Sequence, residues 1–242
     1  MQNDEFAGAS KTNNSFLSPL ERRLAPLVLP RIPAWLETYH LTMLTLVWSL
    51  LIVLFSFMAA KDLCWLSAVS AMIALQWATD HYDGKIGKFR NTGLVRWGYY
   101  MDHLLDYVFL CSILIGYSFI LPESSHFQLL LMLALFAGFD FSTFLAFAAM
   151  DKLQISYLKF GPTEFRLALI IINGLLVSFG TKHMMTGLKW VNAGAAVGLC
   201  VLVYATQKKI WRLDMAGKSI QKVVTLKPRT EKAYVPAKEC TY

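Results

Sequence analysis

The sequence predicts an all-α fold, a polytopic transmembrane bundle of six spans with an N-terminal interfacial amphipathic segment, and three observations lead there. Of its 242 residues, 56% are hydrophobic and only 16% are charged, with a mean hydropathy of +0.45. A soluble domain carries about a quarter charged residues. Uncharged stretches also follow one another, with short polar breaks, from Glu37 to Gln207. Finally, the bases are confined almost entirely to alternate breaks between those stretches. With 16 Phe, 7 Trp and 10 Tyr, disorder is excluded as a description of the whole chain.

A polar, basic arm comes first. Residues 15–37 mix Phe16, Leu17, Leu20, Leu24, Leu27 and Leu29 with Arg22, Arg23 and Arg31, and prolines 19, 26, 30 and 33 divide it. That pattern suits a helix lying on an anionic membrane surface, and equally a solvated arm that helps to set topology. The first residues are polar, so no cleavable signal peptide is expected. A membrane-crossing helix needs about 20 mostly apolar residues, which places spans at roughly 40–60, 63–82, 98–121, 127–149, 164–184 and 188–206. The expected organisation is therefore an arm (1–37), a six-span bundle (38–207) and a basic tail (208–242) that is disordered or surface-attached.

Lys11, Arg22, Arg23 and Arg31 precede the first span, and Lys85, Lys88, Arg90 and Arg96 follow the second. Lys152, Lys159 and Arg166 lie near the break between the fourth and fifth, and nine more bases follow the sixth. Only Lys61, Lys182 and Lys189 fall on the other side. Positive charge marks the cytosolic side, so both termini and the loop at 84–98 are expected there. The net charge of +7 then reflects topology and the tail, and no nucleic-acid partner is expected. Cys64, Cys111, Cys200 and Cys240 have neither paired spacing nor neighbouring histidine clusters, so neither a disulfide framework nor a zinc site is indicated. Trp35, Trp97, Tyr99, Tyr100 and Trp190 read as an interfacial belt.

Four carboxylates do not suit a purely structural bundle. Asp80 and Asp83 are three residues apart at the end of the second span, and Asp102 and Asp106 are four apart at the start of the third. Each pair shares a helix face, and a short connection lets the two pairs converge at one depth. An ionised Asp in a bilayer costs about 2.5–3.5 kcal/mol at the centre and less near the interface. A salt-bridged helix end accounts for any one of them; four at this spacing point to a site. Crowded carboxylates repel and take up protons unless a cation intervenes, and hard oxygen ligands suit Mg2+ or Mn2+. Gly84, Lys85, Gly87 and Lys88 lie between the pairs, and Gly98 precedes Asp102 by one helical turn. Small residues allow close approach, and lysines supply charge for phosphate.

The run Asp80-His-Tyr-Asp83-Gly84-Lys-Ile-Gly87-Lys88, followed by Gly98-Tyr-Tyr-Met-Asp102-His-Leu-Leu-Asp106, resembles the signature of the CDP-alcohol phosphotransferase (CDP-alcohol phosphatidyltransferase) family, D-x-x-D-G-x-x-A-R-x8-G-x3-D-x3-D. There are three departures. Gly87-Lys88 replaces Ala-Arg, the gap to Gly98 is one residue longer, and Thr38-Tyr-His-Leu-Thr42 only partly resembles the family's Pro-Asn-x-x-Thr segment. The resemblance implies an integral membrane enzyme of phospholipid synthesis that displaces CMP from a CDP-linked alcohol with a second alcohol. By position, Asp80, Asp83, Asp102 and Asp106 would hold two metal ions and Asp106 would be the general base. Gly84, Gly87, Gly98 and Lys88 would receive the CDP moiety. A homodimer is one expectation, with the oligomeric state otherwise open.

Outside the motif, Gly161-Pro-Thr-Glu164-Phe-Arg166 opens the fifth span. Thr163 is expected to cap that helix, and Glu164 and Arg166 either line the acceptor or lipid pocket or serve as a helix cap with an orienting arginine. Asp140 interrupts the fourth span; it either contacts a polar acceptor, or is simply protonated, or is bonded to Asn173 or Asn192. The short six-span chain favours CDP-diacylglycerol as donor and a small polar alcohol as acceptor. The Gly-Pro-Thr-Glu element favours a CDP-amino-alcohol donor with diacylglycerol. Two other classes compete. A prenyltransferase would carry two separated Asp-rich motifs in a larger bundle. A non-catalytic transport or assembly protein would need no fixed glycine spacing.

Overall fold

The structure, a computed structural model, describes residue 26 and residues 28–150 and 162–226. Six α-helices carry them: α1 (Thr38–Ala59), α2 (Leu66–Arg90), α3 (Val95–Ile120), α4 (His126–Met150), α5 (Pro162–Phe179) and α6 (Met184–Leu226). No strand occurs among the described residues. Short 3₁₀ turns at Leu29–Arg31, Leu63–Trp65 and Glu123–Ser125 precede α1, α2 and α4. Most of the predicted interfacial segment lies outside the described residues.

Helix boundaries follow local chemistry. Glu37 caps α1 reciprocally: its carboxylate accepts the His40 backbone N–H, and its own N–H donates to His40 Nδ1 at 3.1 Å. Asp62 accepts the Cys64 N–H at 3.0 Å and holds a 3₁₀ turn, so α2 starts three residues later than predicted. That bond keeps the Asp62 carboxyl below the usual carboxylate range. At its far end α2 continues past the expected limit of 82 to Arg90, where Asn91 adopts φ 56°. Asparagine tolerates this left-handed position, and the Asn91 and Thr92 N–H groups donate back to Lys88 and Gly87 carbonyls. The loop expected over 84–98 is therefore only Asn91–Leu94, and Gly84, Gly87, Lys88 and Gly98 all lie within helices.

Two later boundaries also need correction. The fifth helix ends at Phe179 rather than near 184, because Gly180 takes φ +73°. Helix α6 does not stop at 206 but runs to Leu226, so the tail expected to be disordered or surface-attached begins as helix. Residues up to Leu202 belong to one compact unit and those from Val203 onward to a second. In the second unit, Lys208, Lys209 and Arg212 accompany Tyr204 and Leu213 on one stretch of helix, and the Lys208 ammonium lies 5.6 Å from the Tyr204 ring centroid.

Within the first unit α1 packs on both α2 and α3, α2 on α5, and α3 on α4. The buried face of α1 is Leu41, Thr42, Thr45, Ser49, Ile52, Ser56 and Ala59, mostly small side chains. A Cβ at Gly116 would overlap Ser56 Oγ, so α1 and α3 approach through small residues, as membrane helices commonly do. A buried polar chain ties three helices: Tyr117 donates to Asn173 Oδ1 at 2.8 Å, and Asn173 Nδ2 donates to Ser70 Oγ at 3.1 Å. By contrast, α4 and α6 present Phe127, Leu130, Leu145, Trp190 and Val197 outward. So much exposed apolar surface suits lipid rather than water.

Among the described residues, four helical stretches are long and apolar enough to cross a membrane: Thr38–Ala59, Val95–Ile120, Glu123–Met150 and Met184–Ala216. The count of six is thus met as helices but not as six independently apolar spans. Helix α2 loses apolarity in its last turns, which carry Asp80, Asp83, Lys85, Lys88 and Arg90, and α5 is short and carries Glu164 and Arg166.

Candidate active site

Asp80 and Asp83 occupy the later turns of α2, while Asp102 and Asp106 stand one turn apart early in α3. Three of these four carboxylates converge: oxygens of Asp80, Asp102 and Asp106 lie within 4.8 Å of one another. Asp83 turns aside. Its Oδ2 accepts the Thr42 hydroxyl at 2.7 Å, and its Oδ1 receives the Gly84 N–H. Thr42 lies on the buried face of α1, so the helix that packs on both acidic helices also positions one acid. Asp83 remains within electrostatic reach of Asp80 and Asp102, and Asp140 of α4 within reach of Asp106.

The positive charge at the cluster comes from α5. Arg166 is 4% exposed, and its Nη2 lies 3.0 Å from Asp80 Oδ2 and 2.9 Å from Asp106 Oδ1. Its Nε donates to Gln76 Oε1 at 2.5 Å, and its guanidinium carbon stands 5.4 Å from the Phe109 ring centroid. Gln76 is completely buried one turn before Asp80. From the sequence Arg166 is a candidate for the acceptor pocket, Thr42 enters only as the end of the Thr38–Thr42 segment, and Gln76 belongs to no motif. A lone glutamine within an apolar run is the sequence signal for Gln76.

The glycines divide into two kinds. Among the described residues nothing lies within 4 Å of a Cβ placed at Gly84 or Gly98, so both border open space. Gly87 is closed: a Cβ there would stand 2.7 Å from Thr38 Oγ1 and 2.9 Å from Gly93 Cα. An alanine, which the family pattern carries at this position, does not fit against this loop. Lys88 is exposed, whereas Lys85 contacts His81 Nε2 and lies 5.7 Å from the Tyr82 ring centroid.

Arg90 fastens the segment before α1 to the end of α2. Its guanidinium donates to the carbonyls of Ile32 (2.9 Å), Pro33 (2.9 Å), Ala34 (3.3 Å) and Leu36 (2.8 Å). At the start of α5, Glu164 is half-buried. Thr163 lies inside the helix rather than capping it, and its hydroxyl accepts the Trp77 indole N–H at 3.2 Å. Asn173 and Asn192 do not hold Asp140. Asn173 serves Tyr117 and Ser70, and Asn192 donates to Gln128. Gln128 lies twelve residues before Asp140 on α4, about 18 Å along the helix.

Three carboxylates with converging oxygens form a hard, anionic donor set of the kind that suits Mg2+ or Mn2+. Apolar helices of membrane length, packed so that such a cluster forms where α2 meets one of them, α3, define a membrane protein with a candidate metal centre. A family model for CDP-alcohol phosphatidyltransferase matches residues 38–203, which includes every residue of the cluster and Arg166. The chain belongs to that family and is a transferase of phosphorus-containing groups. No individual curated protein matches it.

Proposed function

We propose that this chain transfers a phosphate-linked alcohol from a CDP-alcohol, leaning to CDP-diacylglycerol, to the hydroxyl of a small polar alcohol, in a divalent-metal-dependent reaction at the cytosolic membrane face. The observation that carries this reading is the convergence of Asp80, Asp102 and Asp106 inside the matched region. Those three, with Asp83 beside them, would hold Mg2+ or Mn2+, with two ions as the expected complement. When bound, the metal neutralises the diphosphate and stabilises the oxygen on which CMP leaves.

The chain's own groups do the rest. Asp106 takes the proton of the incoming hydroxyl. The hydroxyl oxygen bonds to the phosphorus that carries the donor alcohol, the bond from that phosphorus to the bridging oxygen breaks, and CMP departs with the electron pair. Gly84 and Gly98 leave room for the nucleotide beside α2 and α3, and Lys88 supplies charge near its phosphates. Gly87 contributes indirectly, by letting the 91–94 loop close on α2. Glu164 and Asp140 are the polar groups assigned to the acceptor side. The distribution of bases supports a cytosolic location for this face, with α2 and α5 completing six spans.

Purified chain in detergent, supplied with Mg2+ and a panel of CDP-alcohols and acceptor alcohols, tests the reading by CMP release. The expected result is release that a chelator abolishes, with Asp106→Asn slower by about 10²–10⁴-fold. Activity only with CDP-amino-alcohols and diacylglycerol would reverse the donor assignment. Asp106→Asn releasing CMP at the unsubstituted rate would remove the general-base role. Failure of every pair would overturn the proposed donor and acceptor classes.

A further inference from the structure

The least expected feature of the cluster is that one nitrogen serves two of its acids. Arg166 Nη2 is within 3.0 Å of Asp80 Oδ2 and 2.9 Å of Asp106 Oδ1. It carries two hydrogens, one for each carboxylate. The nitrogen therefore sits where the two oxygens converge, the position of an ion shared between them. The guanidinium is held from behind as well, at Nε by the fully buried Gln76 and across its face by Phe109.

We propose that Arg166 is a displaceable internal counter-ion: its Nη2 holds Asp80 and Asp106 together, and a divalent cation must displace it to take both carboxylates. The inference rests on the metal-site reading above and deepens it. Asp80 comes from α2, Asp106 from α3 and Arg166 from α5. One nitrogen thus links three helices through opposite charges. Without a positive partner, clustered carboxylates repel and take up protons. Arg166 between them offsets part of that repulsion and holds both carboxylates in place. A divalent ion offers more charge to the same oxygens, and Gln76 keeps the arginine stem anchored while the Nη end gives way. Metal affinity is then set by competition with the chain's own guanidinium and is weaker than three carboxylates alone would provide.

The test reads metal binding directly, by the loss of the free-Mn2+ electron paramagnetic resonance signal on titrating the full chain in detergent. Unsubstituted protein, R166Q, R166K and D102N are compared, each also melted in chelator and in saturating Mn2+. Removing a buried positive charge from beside the site should make R166Q bind Mn2+ about tenfold tighter or more. R166K, which keeps the charge but loses the planar fork and the Nε bond, should fall between R166Q and the unsubstituted chain. R166Q should melt below the unsubstituted chain in chelator, and Mn2+ should narrow that gap.

Equal or weaker binding by R166Q, with D102N losing the ion, overturns the counter-ion role while the metal site stands. A melting gap unchanged by Mn2+ overturns it too, since Arg166 would then only brace the fold. If R166Q cannot be purified folded, R166K decides, and affinity equal to the unsubstituted chain refutes the proposal. Failure of the unsubstituted chain to bind any Mn2+ that D102N removes would sink the metal-site reading itself, and this inference with it.

Discussion

Replacing Gly87 with alanine tests whether that position serves packing or nucleotide binding, and the structure sets the size of the effect. The added Cβ would stand 2.7 Å from Thr38 Oγ1 and 2.9 Å from Gly93 Cα. Neither neighbour yields easily. Thr38 is 6% exposed, and its branched side chain is stiff at χ1. Gly93 is backbone, and the adjoining Thr92 N–H is bonded to the Gly87 carbonyl at 3.0 Å. Forcing a methyl into such a contact costs about 1–3 kcal/mol. Alanine regains about 1 kcal/mol of helix propensity over glycine. The net is a loss of about 1 kcal/mol, with the upper end near 2 kcal/mol when Thr38 cannot turn. For a chain of this size that lowers Tm by roughly 2–8 °C. Thermal unfolding in detergent measures it, alongside KM for the CDP-alcohol. A variant as stable as the unsubstituted chain, with KM alone raised, would refute the packing argument and restore Gly87 to the nucleotide site.

Two further expectations rest on single contacts. Arg90→Ala removes four hydrogen bonds to the carbonyls of residues 32–34 and 36. Partial exposure and competing water limit the loss to about 2 kcal/mol, and limited proteolysis should cut faster between Arg31 and Glu37; an unchanged cleavage rate would argue against the clamp. Tyr117→Phe deletes the hydroxyl that Asn173 accepts at 2.8 Å. It should cost about 0.5–1.5 kcal/mol in a denaturant titration in mixed micelles. No measurable loss would mean that Asn173 finds another donor.

Much of the fold was legible because its causes are local. An apolar run of membrane length becomes a helix wherever lipid offers no other partner for its backbone, and the positions of charged residues divide one run from the next. Boundaries were less legible. The extension of α2 to Arg90 depends on where a cap is available, and Asn91 rather than either earlier glycine supplies it. Beyond 206 the polar composition of α6 suggested an end to helix, yet polarity ends a membrane span without ending a helix. Likewise Thr163 has the composition of a cap but lies within α5, where Trp77 claims its hydroxyl.

The sequence by itself determined that this is a helical membrane protein and that two pairs of acids lie on its second and third helices. It also carries the acidic motif that resembles the family signature. Those properties follow from hydropathy and from helical spacing over a few residues, which are encoded next to one another along the chain. Only the tertiary structure decided which acids meet. Asp80, Asp102 and Asp106 converge, while Asp83 is drawn to Thr42, 41 residues away. Arg166 joins the cluster at Asp106 across 60 residues and is held by Gln76 across 90. No spacing rule reaches that far. These partners depend on how α1, α2, α3 and α5 pack, and in a bilayer packing is settled by small side chains and close contacts rather than by hydrophobicity, which lipid and protein share.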